Sequence, residues 1–173
     1  MTIYLDYQAT TPLAPEVRGA MQPWSTDKFA NPHATHKLGR EAAAVIEVAR
    51  EAVASLLPSG GKLYFTSGAT EALNWALVCA GKGGIAFPDT EHAAVRDTAA
   101  ALQKGKRKTH LLAVKPDGLL ETKIDLPATI GMVACMLVNN EIGVIQPVAK
   151  LAKAAHAIGA LMLCDAVQGF GRV

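Results

Sequence analysis

The sequence predicts an α/β fold, a mostly parallel sheet with helices on both faces. From about residue 62 onward, short runs that are apolar at nearly every position alternate with longer stretches of helical period. Strands of a parallel sheet are buried on both faces and are joined by crossover helices, which produces this pattern. With 173 residues, half of them hydrophobic and 18% charged, the chain can bury a core of its own.

The predicted elements follow one another in order along the chain. Strands are expected at residues 62–67, 83–88, 109–114, 131–139 and 161–166. Helices are expected at residues 70–81, 93–105 and 148–159, the last opened by Pro147 and ended by Gly159. Upstream of these lie a turn-rich arm at residues 4–17 and a long amphipathic helix at residues 36–57.

Composition and charge exclude several classes of function. The formal net charge of +2 is too small to indicate a nucleic-acid partner or an anionic membrane surface, and no apolar run is long enough to span a bilayer. The N-terminus lacks the basic and apolar regions of a secretory signal. The three cysteines, Cys79, Cys135 and Cys164, lie inside apolar runs, so we expect them to be buried and unreactive in a reducing cytoplasm.

Polar residues cluster where the predicted strands end, and ligands of open α/β sheets bind at the carboxyl ends of the strands. Residues 67–71 open a helix and offer backbone N–H groups and the Thr70 hydroxyl, which suit a phosphate. Two further clusters lie at residues 88–92, which include His92, and at residues 138–143, which include consecutive asparagines. Each cluster also has an ordinary interpretation: a helix N-cap, a polar loop histidine and a turn, respectively.

The last predicted strand carries an acid, Asp165, to its tip, and Gln168 follows three residues later. A carboxylate at the inner end of a central strand loses hydration, so its pKa rises unless a cation compensates. A protonated pyridine nitrogen would be such a cation. Together with the other three clusters, Asp165 therefore indicates a site for an anionic cofactor whose ring needs a carboxylate.

Several stretches of the sequence resemble, in order, the motifs of a known enzyme family: YLDYQATTP, NPHATHKLGREA, FTSGATEALN, EHAAV, VNNEIGVIQP and DAVQGFGRV. The family is that of the cysteine desulfurases of the NifS/IscS type, pyridoxal 5'-phosphate (PLP) enzymes of the class V aminotransferase group. The resemblance implies the N-terminal portion of a fold type I large domain, incomplete at its C-terminus. It also implies two parts: residues 1–20, an arm that would join the small domain, and residues 21–173, a partial PLP-binding domain.

The resemblance implies roles for the residues at the strand ends. Ala69 and Thr70 would bind the cofactor phosphate at the N-terminus of the first helix after residue 62. His92 would stack on the pyridine ring and act in catalysis by moving protons.

The edge of the ring would be held by the two later clusters. The resemblance implies that Asn140 and Gln168 hydrogen-bond the phenolic oxygen of the ring. Asp165 would keep the ring nitrogen protonated, which makes the ring an electron sink. No metal is implied.

Enzymes of this family convert L-cysteine to L-alanine and transfer the sulfur to an enzyme persulfide, for iron–sulfur cluster or thio-cofactor assembly. The partners that the resemblance implies are L-cysteine as substrate and a sulfur-acceptor or scaffold protein. A cytoplasmic homodimer is expected, with neither nucleic acid nor membrane as a partner.

The groups for the covalent chemistry are not found among these residues. In the family the Schiff-base lysine follows the Asp165 and Gln168 motif, and no lysine follows Lys153 here. Lys37 does not suit that role, because it belongs to the stretch NPHATHKLGREA, upstream of the first predicted core strand. The persulfide cysteine also belongs to the family's later half. We expect an N-terminal part of a desulfurase that is inactive alone, with no sheet neighbours for residues 62–67 and a bare apolar edge at residues 161–166. The alternatives are a non-catalytic remnant that acts as a binding or dimerisation module, and a related class V aminotransferase or selenocysteine lyase.

Overall fold

A computed structural model describes residues 2–79, 82–121 and 124–173. The chain forms two compact units, one of residues Thr10–Phe65 and one of residues Met1–Ala9 with Thr66–Val173. No helix of the described residues is long and apolar enough to cross a membrane. The division at residue 20 that the sequence predicts concerns the small domain of a longer protein, and it stays a prediction.

The unit of residues 10–65 consists of two helices, α1 (Pro15–Ser25) and α2 (Lys37–Ala54). The structure confirms the long helix predicted at residues 36–57, and His36 caps it by accepting a hydrogen bond at Nδ1 from the Gly39 N–H over 3.2 Å. Helix α1 lies partly in the stretch interpreted as a turn-rich arm. Its prolines favoured a turn, but Pro15 stands at the start of the helix, where its missing N–H costs nothing.

The other unit is a parallel sheet with helices between its strands. The strands are β1 (Gly84–Pro88), β2 (Thr109–Leu112), β3 (Ile130–Met136) and β4 (Leu161–Asp165), and the helices are α3 (Ala69–Cys79), α4 (Ala93–Lys104) and α5 (Val148–Ala157). The strand order is β2-β1-β3-β4, and every pair is parallel. This confirms the predicted fold class and the strands and helices expected after residue 68, although residues 80–81 of the helix predicted at 70–81 lie outside the described residues.

The alternation of side chains along the strands divides the core between the two faces of the sheet. Ile85 and Phe87 of β1 belong to one core, which α3 and α4 complete with Leu77 and Val95. The intervening residue of β1, Ala86, belongs to a second core on the other face, where α5 contributes residues. Because both faces of the two central strands, β1 and β3, are covered, their sequences show apolar runs rather than alternation.

The strand predicted at residues 62–67 is absent. These residues pair with no strand of the described chain, and Tyr64 and Phe65 are 62% and 54% exposed. An apolar stretch becomes a strand only where a neighbour accepts its backbone hydrogen bonds, and no such neighbour is present. The expected bare edge is confirmed at β4, which pairs only with β3 among the described strands and leaves Leu161 half exposed.

A substitution at Gly131 of β3 tests the close approach of β3 to the start of β1. A Cβ added at Gly131 would overlap the carbonyl oxygen of Lys82. Because that atom belongs to the backbone, we expect Gly131→Ala to lower the free energy of unfolding by about 1–3 kcal/mol. Urea denaturation measures this, and Gly61→Ala is the control because its Cβ would meet nothing closer than 4.0 Å. Equal effects of the two substitutions would contradict the packing described here.

Candidate functional site

A cavity of about 360 Å³ lies at the carboxyl ends of β1, β3 and β4, and we call it the strand-end cavity. Its volume falls within the range of roughly 300–1,000 Å³ that ligand sites occupy. The lining residues are Gln8, Ala9, Ala69, Thr70, Leu73, His92, Met136, Val138, Asn140, Asp165, Val167 and Gln168. All the cofactor residues proposed from the sequence are among them, so the fold brings together positions that are far apart in the chain.

Helix α3 begins at the strand-end cavity, with Ala69 and Thr70 in its first turn. Ser67, a candidate N-cap, instead donates from both its backbone N–H and its hydroxyl to the Glu71 carboxylate, each over 2.6 Å. These hydrogen bonds lower the pKa of Glu71. Among the described residues no first-turn N–H donates to the Ser67 hydroxyl, so these N–H groups keep their attraction for an anion.

His92 is the N-cap of α4 and lines the strand-end cavity. Its Nδ1 accepts a hydrogen bond from the Ala94 N–H over 3.1 Å, and a ring nitrogen that accepts carries no proton. The neutral ring therefore has its proton on Nε2. The cap also fixes the ring against the start of α4, which presets the direction of any ring face offered to a ligand.

Asn139 ties the loop after β3 to the loop after β1. Its Nδ2 donates to the Thr90 carbonyl over 2.7 Å, and its Oδ1 accepts from the N–H groups of Glu141 and Ile142 over 2.8 and 3.0 Å. These bonds surround Asn140, which lines the cavity. The first of the consecutive asparagines therefore has a structural role, while the second faces the site.

Asp165 and Gln168 lie where β4 ends. Asp165 Oδ1 accepts from the Val167 N–H over 2.9 Å, which closes a tight turn around the carboxylate. The Gln168 amide donates from Nε2 to the Gln8 carbonyl over 2.6 Å and accepts at Oε1 from Arg172 over 3.1 Å. A glutamine amide has two N–H bonds, so Gln168 keeps one for a ligand while it holds the N-terminal segment at the cavity.

Glu91 was not singled out from the sequence, yet it is the most unusual group near the site. The residue is only 3% exposed, and its Oε1 accepts from the Met136 N–H over 2.7 Å. Its other oxygen, Oε2, is buried without a hydrogen-bond partner. Burial, with a further contribution from the negative charge of Asp165, raises the pKa of Glu91 to about 7 although the Met136 bond opposes the shift.

The structure corrects the expectation for two of the three cysteines. Cys135 on β3 is buried as expected, but Cys79 and Cys164 are exposed. Cys164 lies on the uncovered edge strand β4, and Cys79 lies at the last turn of α3 near the exposed Trp75. Partial burial, and then the charges of nearby acids, still raise the pKa of Cys164, so its thiol stays protonated at neutral pH.

No lysine of the described chain lines the strand-end cavity. Lys37, considered and rejected in the sequence, lies in the other unit, where its exposed Nζ pairs with Glu41 over 3.8 Å. Sequence reasoning also missed lining residues that contribute backbone or apolar surface: Gln8, Ala9, Leu73, Met136, Val138 and Val167. Of these residues, Leu73 could have been predicted to lie at the site, because its helical spacing from Ala69 and Thr70 puts it on the same face of the helix.

The lining of the strand-end cavity fits PLP. The start of α3 provides N–H groups suited to a phosphate, and Asp165 provides a carboxylate suited to a protonated ring nitrogen. The apolar side chains of Leu73, Met136 and Val138 suit the body of a ring.

Comparison with known proteins shows similarity along the whole chain. It is 40% identical to the cysteine desulfurase IscS of Rickettsia bellii, in an alignment that covers all of this chain and 45% of the relative. Among solved structures, a NifS-like protein matches with a TM-score of 0.91 and 32% identity, over all of this chain and 51% of that protein. SspA in complex with cysteine matches with a TM-score of 0.89 and 32% identity, over 98% of this chain and 52% of that one.

This chain therefore spans less than half the length of the curated relative it matches. The family model for aminotransferase class-V matches residues 3–173, and the fold described above agrees with the N-terminal part of the NifS-like structure. The resemblance inferred from the motifs is thus confirmed. The chain belongs to the aminotransferase class-V family.

Proposed function

We propose that this chain forms the PLP-binding part of a cysteine desulfurase. The observation that supports this best is the strand-end cavity, because Ala69, Thr70, His92, Asn140, Asp165 and Gln168 all line it. The names of the relatives support the same reaction, since the curated matches are cysteine desulfurases and one similar structure contains cysteine. Substrate L-cysteine, sulfur transfer for iron–sulfur cluster or thio-cofactor assembly, a sulfur acceptor, a homodimer and a cytoplasmic location are parts of this proposal.

The chain's own residues would hold the cofactor from several elements of the fold. Ala69 and Thr70 bind the phosphate with the N-terminus of α3, and His92 stacks on the ring. Asn140 and the free N–H of Gln168 donate to the phenolic oxygen. Bound there, PLP supplies a ring that withdraws electrons from the substrate's α-carbon.

Asp165 and His92 would control protons at the site. The Asp165 carboxylate stabilises a proton on the ring nitrogen, and the Val167 N–H holds the carboxylate in place from the other side. His92 carries its proton on Nε2, since Nδ1 is used in the helix cap, so the neutral ring offers Nε2–H as a hydrogen-bond donor. For His92 to give up a proton, Nδ1 would first have to leave the cap and take up a proton of its own.

A non-catalytic binding module is the second candidate, and one observation favours it: no lysine among the described residues lines the cavity. A related class V aminotransferase or a selenocysteine lyase is a third, within the same family. Release of alanine from L-cysteine or L-selenocysteine by the full-length protein distinguishes these candidates. A protein that binds the cofactor, releases no alanine from either substrate and transfers no amino group to a keto acid would be a binding module.

The cofactor site itself is tested by 4'-deoxypyridoxine 5'-phosphate, an analogue that lacks the aldehyde and so binds without a lysine. We expect saturable binding, and we expect His92→Asn to weaken it roughly fivefold, since loss of an aromatic stacking partner costs about 1 kcal/mol. Asparagine is itself a good N-cap, so this variant should keep the thermal stability of the protein. Isothermal titration calorimetry measures the affinity.

His92→Ala is the matched variant, because it removes the ring and the cap together. It should weaken binding similarly and also lower the free energy of unfolding by about 1 kcal/mol. If His92→Asn binds the analogue as tightly as the unchanged protein, His92 does not stack on the ring. If the unchanged protein does not bind the analogue, the proposed cofactor site is wrong.

A further inference from the structure

The Glu91 carboxyl is hydrogen-bonded to Met136, a residue that lines the strand-end cavity together with Asp165. Its Oε1 accepts from the N–H of Met136, and Met136 is the residue of β3 that lies in register with Asp165 of β4. The N–H of the next residue, Leu137, donates to the Asp165 carbonyl over 2.8 Å. Glu91 is thus connected to Asp165 through the backbone, and it is close enough to feel its charge.

The burial of the Glu91 carboxyl is only partly offset by hydrogen bonds. Only 3% of the residue is exposed, and Oε2 has no hydrogen-bond partner among the described residues. A buried carboxyl in this state is stable when it is protonated and costly when it is ionised beside a second carboxylate. Burial is the main reason that Glu91 keeps its proton, and the charge of Asp165 adds to it.

None of the other titratable groups described around Glu91 offers a positive charge that would offset an ionised Glu91 carboxylate. The thiols of Cys135 on β3 and Cys164 on β4 interact with Glu91, and burial raises the pKa of both, so they remain neutral. On the side of α4, Arg96 pairs with Asp89 over 3.6 Å, and both side chains are more than half exposed, at 53% and 68%. Asp165 is therefore the charge that matters most to Glu91.

We propose that Glu91 is a positioning residue whose proton is released when a cationic ring binds at Asp165, so that cofactor binding and Glu91 ionisation are coupled. This inference rests on the proposed cofactor site. A ring cation neutralises Asp165, which removes the repulsion between the two carboxylates. Glu91 then loses its proton to solvent more easily, and the ionised Glu91 adds a second negative charge that attracts the ring cation.

The sign of the coupling follows from linkage, since two binding events that favour each other do so reciprocally. If ring binding favours ionised Glu91, ionised Glu91 must favour ring binding. Affinity for a protonated ring should therefore rise with pH through the range near 7 in which Glu91 ionises in the free protein. Glu91→Gln keeps an acceptor for the Met136 N–H but holds no titratable proton, so it should behave as the protonated form does at every pH.

The test measures the dissociation constant of 4'-deoxypyridoxine 5'-phosphate at pH 6 and pH 8 for the unchanged protein, Glu91→Gln, Asp165→Asn and the double variant. We expect the first two to bind about equally at pH 6. At pH 8 the unchanged protein should bind at least about fivefold more tightly than Glu91→Gln, the lower end of coupling between sites. In the Asp165→Asn background the repulsion between the two carboxylates is gone, so Glu91 should ionise at lower pH, and the effect of Glu91→Gln should differ less between pH 6 and pH 8 than it does when Asp165 is present. Glu121→Gln, at an exposed position, is the control and should match the unchanged protein.

A second measurement needs no ligand. The ¹³C carboxyl signal of Glu91 should titrate at lower pH in Asp165→Asn than in the unchanged protein, because the repelling charge is gone. Equal pH dependence of binding in the unchanged protein and Glu91→Gln would overturn the coupling while leaving the cofactor site intact. So would a Glu91→Gln effect that changes as much between pH 6 and pH 8 in Asp165→Asn as it does when Asp165 is present. Failure of the unchanged protein to bind the analogue would overturn the cofactor site and the coupling together.

Discussion

Replacement of Asp165 by asparagine should weaken binding of a protonated pyridine ring by roughly 30- to 5,000-fold, which corresponds to the 2–5 kcal/mol typical of a broken charge pair in a desolvated site. In a complete desulfurase that contains this chain, the same substitution should abolish turnover and alter the cofactor's absorption spectrum. The reason is that the carboxylate is the group at the cavity that can hold a proton on the ring nitrogen. Calorimetry of analogue binding and alanine release are the measurements.

The choice of asparagine separates charge from structure. Its side-chain oxygen can still accept from the Val167 N–H, as Asp165 Oδ1 does over 2.9 Å, so the turn at the end of β4 should persist. Asp165→Ala removes both the charge and that acceptor. We therefore expect the two variants to lose similar affinity but to differ in stability. Normal desulfuration by either variant would show that Asp165 does not act on the ring nitrogen.

Replacement of Glu91 by glutamine should change how stability depends on pH. The pKa of Glu91 is raised from 4.5 to about 7 in the folded chain, so the folded state binds this proton more tightly than the unfolded state does. Stability from this group is therefore fully present below pH 4.5 and is lost as the pH rises to about 7. The loss amounts to about 3 kcal/mol, since each pKa unit is worth about 1.4 kcal/mol.

Urea denaturation at pH 4.5 and pH 8 checks this expectation. The difference between the two pH values should be about 3 kcal/mol smaller in Glu91→Gln than in the unchanged protein. The absolute stability of the variant is a poorer measure, because the glutamine N–H groups are themselves buried and cost about 1–3 kcal/mol if unpaired. Glu121→Gln again provides the exposed control. An identical pH dependence in all three proteins would show that Glu91 is ionised in the folded state without cost.

Much of the fold could be predicted because its causes are local. The apolar runs at β1 and β3 are buried on both faces. The helix α5 begins after Pro147 and ends at Ala157, two residues before Gly159, which has a positive φ of 75°. Such signals depend on a few neighbouring residues. The strand predicted at residues 62–67 failed for the opposite reason, because a strand needs a partner that its own residues do not specify.

The candidate site also contains residues that the sequence predicted and one, Glu91, that it did not. The clusters at the strand ends could be predicted because each follows an apolar run or opens a helix, and parallel strands end at one edge of the sheet. The family resemblance then implied which residues of those clusters would bind the cofactor: Ala69, Thr70, His92, Asn140, Asp165 and Gln168. Glu91 could not be recognised, although it directly precedes His92. Its importance depends on burial and on Met136 and Asp165, which come from strands distant in the chain.

By itself, then, the sequence determined the fold class, the family resemblance and the polar residues at the strand ends. Hydrophobic periodicity and contiguous motifs depend only on residues that are close together in the chain. The tertiary structure alone decided that these residues line one cavity, that Cys79 and Cys164 are exposed, and that Glu91 lies buried beside Asp165. Burial, desolvation and the repulsion between two carboxylates depend on distances across the sheet, and those distances exist only once the strands have paired.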